Sequence, residues 1–153
     1  MIISVPVFSL QISEIMYDPP GNDADYEWVE IYNDDTYEIN LSGWVIDKKN
    51  IGNYVLQSGN YSVIAKKFFG NSSFEERWGN NDSVWDEKDG NYTVTEVGIT
   101  LTNTGDNINL TNGLQTDFVT YSPSYNASGR GKSLCRNESS FIECSPTPGA
   151  ENI

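Results

Sequence analysis

Short apolar runs return every eight to twelve residues along this chain, each bounded by Gly, Asn, Asp or Pro. That rhythm suits strands and turns, because a helix needs apolar residues three and four apart sustained over ten or more positions. Phe8-Ser9-Leu10-Gln11-Ile12-Ser13 alternates with the period of a half-buried strand, and Ile15 then falls out of phase with Ile12. A bulge near Ser13-Glu14 restores the inward face, and Asp18-Pro19-Pro20-Gly21-Asn22 closes the segment with turn chemistry. Tyr26-Glu27-Trp28-Val29-Glu30-Ile31-Tyr32-Asn33 places Val29 and Ile31 on one side and Trp28 and Tyr32 on the other. Both faces of that strand are therefore expected to be at least partly covered.

The rhythm continues through Ile39 with Leu41, Trp44-Val45-Ile46, Tyr54-Val55-Leu56 and Tyr61-Ser62-Val63-Ile64-Ala65. It resumes at Val97-Gly98-Ile99-Thr100-Leu101, at Asn107-Ile108-Asn109-Leu110-Thr111 and at Asp117-Phe118-Val119-Thr120-Tyr121, with an Asn112-Gly113 hairpin signal between the last two. Lys132-Ser133-Leu134-Cys135-Arg136 reads as a final strand ahead of a rigid tail. Valine, isoleucine and threonine outnumber alanine and leucine by about three to one. With 153 residues, the expectation is one all-β domain, a sandwich or barrel. The interruption, about 69–95, is rich in Asn, Asp and Gly and reads as a long polar insertion. Its Trp78 and Trp85 stand in polar surroundings: they either face solvent as a platform for a glycan or protein, or are buried where the insertion folds back.

Charge and missing residues narrow the chemistry. The chain carries 22 acids against 9 bases and no histidine, which repels phosphate polymers and removes the usual general base and zinc ligand. There is no Gly-x-Ser-x-Gly and no phosphate-cradling glycine loop, so only carboxylate pairs are left for catalysis and no enzyme is expected. No cofactor is expected either, calcium aside. Asp23 and Asp25, and separately Asp82, Asp86, Glu87 and Asp89, are hard oxygen ligands in two acidic loops. Neither loop has the register of an EF-hand, and solvated acidic loops are the alternative. Lys48-Lys49, Lys66-Lys67 and the group Arg130, Lys132, Arg136 offer a modest basic patch, or else lysines that protect sheet edges.

Cys135 and Cys144 admit a local disulfide, which would imply an oxidising compartment, or two reduced thiols. Eight asparagines open an Asn-x-Ser/Thr triplet: Asn40, Asn60, Asn71, Asn81, Asn91, Asn109, Asn126 and Asn137. Chance predicts about three from this composition. The excess points to glycosylation outside the cell, against the alternative that asparagine and serine meet because both favour turns. No apolar run reaches the roughly 18 residues of a membrane helix, and Met1 to Leu10 shows no signal-peptide pattern. The chain is expected to be a domain excised from a longer secreted or envelope-attached protein.

Four segments in order, Glu27-Trp28-Val29-Glu30-Ile31-Tyr32-Asn33, Leu41-Ser42-Gly43-Trp44-Val45-Ile46-Asp47, Leu101-Thr102-Asn103-Thr104-Gly105-Asp106-Asn107-Ile108-Asn109-Leu110 and Pro146-Thr147-Pro148-Gly149-Ala150-Glu151-Asn152, resemble the successive motifs of the lamin-tail domain family, prokaryotic type. The resemblance implies an immunoglobulin-like β-sandwich. It also implies a non-catalytic interaction, adhesion or structural module, in a secreted or cell-surface protein, whose partner is a protein or a glycan. A nucleic-acid-associated scaffolding module accompanying a hydrolase is the alternative. In the motifs themselves, Trp28 or Trp44 is expected to plug the core. Glu30 either caps backbone N–H groups of a neighbouring loop or sits on a solvated strand face.

Overall fold

The computed structural model describes residues 9–21, 23–123 and 130–153. In chain order the strands are β1 (Leu10–Met16), β2 (Trp28–Asn33), β3 (Ile39–Asn40), β4 (Val45–Ile46), β5 (Lys49–Asn50), β6 (Val55–Leu56), β7 (Tyr61–Ala65), β8 (Thr93–Glu96), β9 (Asp106–Thr111), β10 (Thr116–Tyr121), β11 (Ser133–Asn137) and β12 (Ser140–Cys144). One short helix, α1 (Phe74–Trp78), and a 3-10 turn at Asp23–Tyr26 complete the elements among the described residues. A six-stranded sheet runs β12-β11-β1-β2-β7-β8 and a four-stranded sheet runs β10-β9-β4-β5, while β3 and β6 pair as a separate ribbon. The two main sheets enclose the core as an immunoglobulin-like sandwich: Ile12, Ile15, Val29, Ile31, Ile64 and Leu134 from one meet Ile46, Ile108, Leu110 and Val119 from the other.

The period-two pattern explains which side chains enter that core, and the bulge lies where the phase slip in the sequence puts it. The register between β1 and β2 shifts between Ile12 and Glu14, so that Ile12 pairs with Ile31 and Glu14 with Glu30. Asp117 on β10 accepts the Ile12 N–H at 2.7 Å and the Arg136 guanidinium at 2.5 Å, tying the two sheets together at this point. The other face of the six-stranded sheet is covered as well. Met16, Trp28, Val63, Ala65 and Val94 form a second apolar cluster with Phe74 of α1, so the sandwich carries a third layer.

That layer is the insertion. Strands β7 and β8 pair in parallel, and a parallel pair requires a crossover connection, which residues 66–92 supply. Ser73 caps α1 by accepting the Glu76 N–H at 3.1 Å. Phe74 and Trp78, four positions apart and so on one helix face, turn inward to Trp28 with ring centroids at 6.0 and 6.1 Å. Two expectations shift here. The span expected as insertion ends in a true strand, β8, whereas Val97 to Leu101 alternates in burial without forming a ladder. Its N–H groups are satisfied singly, Val97 by the Ala65 carbonyl and Leu101 by Glu27. A hairpin partner for the final strand, β12, also forms.

Of the two states open to the cysteines, the disulfide is formed: Cys135 on β11 and Cys144 on β12 are bonded, with Cα atoms 5.8 Å apart. Replacing both with serine is expected to cost about 2–3 kcal/mol by chain entropy. Urea unfolding with and without reductant checks this, and the serine pair should be insensitive to reductant.

Candidate functional site

Two carboxylates lie where the outer layer meets the six-stranded sheet. Glu14 and Glu30 face each other across β1 and β2, and both are 0% exposed. The C-terminal segment is strapped across them. Glu30 accepts the Ser13 hydroxyl and the Gly149 N–H, both at 2.6 Å. Glu14 accepts the Ser133 hydroxyl and the Thr147 N–H at 3.2 Å. Asn152 anchors the end by donating to the Ser13 carbonyl at 3.0 Å. Gly149 sits at φ +80, and a Cβ there would lie 2.0 Å from a Tyr92 ring carbon, so only glycine passes between the sheet and the insertion. The capping reading of Glu30 is correct, and the solvated strand face is not what forms.

Burial raises both acids. Glu14 is pushed up to about 7, mainly by desolvation and against the hydrogen bonds of Ser133 and Thr147. Glu30 is pushed up to about 8 by desolvation, with a smaller contribution from Glu14 beside it. The Thr147 hydroxyl agrees with a protonated Glu14. It has one proton, yet it lies 3.1 Å from Glu14 Oε2 and 3.2 Å from the Asn152 side-chain oxygen; a carboxyl proton completes the second contact. These groups are a clasp for the tail, and no described ion pair includes either of them.

The two indoles singled out in the sequence fold back onto the sheet. Both are half-buried. Trp85 packs on Phe74 and Tyr92, with centroids at 5.6 and 5.3 Å, and its Nε1 donates to the Tyr92 carbonyl at 3.0 Å. In place of a flat platform there is a groove. It has a volume of about 420 Å³ and runs between the β6–β7 connection, with Tyr61 and Asn60, and the end of the insertion, with Trp85, Asp86, Glu87, Asn91 and Tyr92. Tyr61 is backed by Tyr32, stacked at 4.6 Å. Tyr61 and Tyr92 had no distinguishing signal in the sequence, because the groove is assembled from segments about thirty residues apart.

The acidic loops use their carboxylates on their own backbone. Asp82 accepts the Val84 N–H at 2.9 Å and Asp86 the Lys88 N–H at 2.8 Å, while Asp89 accepts from Asn80 and Asp86. Glu87 is exposed. Asp25 lies 3.7 Å from Lys67, and the Asp23 side chain lies outside what is described. Among the described residues, no three of these carboxylates bring oxygens within 4.8 Å of one another; the one such group of three is Glu14 with the two disulfide cysteines. The basic residues are also engaged locally. Lys66 pairs with Glu27 at 3.4 Å, Arg130 with Glu143 at 3.2 Å and Arg136 with Asp117, and Lys49 donates to the Gly98 carbonyl. The lysine doublets do not lie on neighbouring strands, since β5 and β7 belong to different sheets.

Of the eight sequon asparagines, Asn40, Asn60, Asn71, Asn81, Asn91 and Asn137 are exposed and Asn109 is half-buried on β9. Asn126 lies outside the described residues. No described helix is long and apolar enough to cross a membrane.

Searches of the curated proteins and of the solved structures find no match to the chain. A family model described as Lamin Tail Domain matches residues 6–123, a span that runs from β1 through β10 and contains the first three of the four motifs. Strands β11 and β12 and the Pro-Thr-Pro-Gly tail lie beyond the matched segment. The bulged β1, the Glu-Trp-Val-Glu-Ile strand and the Gly-Trp turn all fall inside it and build the sandwich described above, and the chain belongs to the lamin tail domain family.

Proposed function

We propose that this chain is a non-catalytic interaction or adhesion module of a secreted or cell-surface protein. The family supports an immunoglobulin-like interaction or structural module. The observation that carries the exterior placement is the sorting of the sequons: six of the seven described sequon asparagines are exposed, in a chain where the motif exceeds chance more than twofold. The disulfide agrees with it. The scaffolding alternative near nucleic acid gains nothing from the basic groups, most of which are paired or bonded to backbone.

Mass spectrometry of peptides shaved by protease from intact source cells tests the placement. The expected result is glycan on several of the six exposed asparagines, none on Asn109, and a Cys135–Cys144 cross-linked peptide. Unmodified asparagines together with free thiols in those cells would overturn it.

A further inference from the structure

We propose that the groove between the β6–β7 connection and the end of the insertion binds a lysine- or arginine-bearing segment of a partner protein. This rests on the chain being an interaction module and names the chemistry of one contact. The wall of the groove is aromatic, with Tyr61, Trp85 and Tyr92, and its rim carries Asp86 and Glu87; no basic residue lines it. The charged groups acting on the two phenols are all acids. Glu151 and Asp34 act on Tyr61 and Asp89 acts on Tyr92, while Glu30, held protonated at neutral pH, adds no charge there. Aromatic faces and edge carboxylates together favour a cation, whose aliphatic stem lies along the rings while its charged head meets the rim. A concave acidic site in a chain of formal charge −13 also concentrates cations from solution.

The geometry is held in advance of binding. The Trp85 indole is fixed by its bond to the Tyr92 carbonyl, Tyr61 by its stack on Tyr32, and the rim loop by the Asp86 N–H bond to Asp89 at 3.0 Å. Little ordering is left for the ligand to impose, which favours binding. A neutral sugar would use the same rings but gain nothing from the carboxylates. The salt dependence and a charge reversal therefore separate the two ligands. Asn60 and Asn91 flank the groove, so the unglycosylated protein is the one to test.

The full chain is titrated with an end-blocked tetralysine peptide, with tetraglutamine and with an N-acetylglucosamine tetramer, following the nuclear magnetic resonance shifts of Tyr61, Trp85 and Tyr92. Saturable binding of tetralysine alone is expected, weakening about tenfold between low and physiological salt. Glu87→Lys should weaken it about tenfold more through the local charge, whereas Glu138→Lys, an equal change of net charge in the β11–β12 turn, should leave the groove shifts as they are. Three results would overturn the proposal: no saturation at low salt, equal binding of tetraglutamine or the sugar, or equal loss in the two charge reversals. Such a failure leaves the exterior placement standing, because sequon occupancy decides that separately.

Discussion

Lowering the pH from 8 to 5 is expected to stabilise this domain by an amount on the order of a few kcal/mol, the reverse of ordinary carboxylate behaviour. Glu14 and Glu30 carry folded-state values near 7 and 8 against an ordinary 4.5. Between those limits the folded chain holds protons that the unfolded chain has released. Their contribution is therefore fully present below about 4.5 and is lost as the pH rises through 7 and then 8. The groups facing the pair are the hydroxyls of Ser13, Ser133 and Thr147, the Gly149 N–H, and the phenols of Tyr61 and Tyr92. All are neutral over this range, so none supplies a compensating charge. Glu30→Gln, which fixes the uncharged form, should raise the urea midpoint at pH 8 and change it little at pH 5. Hydrogen exchange at Thr147 and Gly149 should show the tail loosening above pH 8 in the parent and not in the variant. If Glu30→Gln lost stability equally at both values, the ionised carboxylate would be the form the fold uses.

The second large effect lies in the outer layer. Trp28→Ala should cost about 3–5 kcal/mol, the range for emptying a large aromatic site, because Trp28 is fully buried with Phe74 and Trp78 edge-on to it. The loss should be uneven. Trp78 and Trp85 emission should shift to the red and become quenchable by acrylamide, while the main core around Trp44 is retained. Trp28→Phe should cost much less, because the indole N–H has no hydrogen-bond partner to lose. Equal quenching of the three remaining indoles, Trp44, Trp78 and Trp85, in Trp28→Ala would show that the insertion and the sandwich unfold as one unit.

What could be read from the sequence was local. The slip at Ser13-Glu14 is visible in the apolar phase alone, and the bulge follows from it. The double-faced β2 is visible because both of its registers carry large apolar residues. The contacts that convert those strands into a site are distant: Glu14 meets Thr147, 133 positions away, and Glu30 meets Gly149, 119 away. An acid among apolar residues looks solvated until its partner in the tail is known. For Trp78 and Trp85 the sequence left burial and exposure both open, because the sheet face that receives them is built by Met16, Trp28 and Val63 in other segments. Val97 to Leu101 has the pattern of a strand, yet only its first N–H, from Val97 to the Ala65 carbonyl at the end of β7, continues a pairing, and the Leu101 N–H goes to the Glu27 carboxylate. In the acidic loop the short side chains bond nearby N–H groups, Asp82 that of Val84 and Asp86 that of Lys88, a local order that composition alone does not reveal.

The position of β1 also sets an order of assembly. It lies between β2 and β11 in the six-stranded sheet, and the serine that meets its Glu14 is 119 residues further along. On the ribosome, β1 emerges ahead of every other described strand and can pair early with β2, but its opposite edge stays open until β11 has been made. Throughout that interval a bare strand edge and two uncovered carboxylates are exposed together. At neutral pH those carboxylates are ionised while still in water, and like charges side by side discourage a foreign strand from docking there. The acids that burden the finished fold at neutral pH would thus act as a temporary guard on the nascent chain, and they take up protons as the tail closes over them.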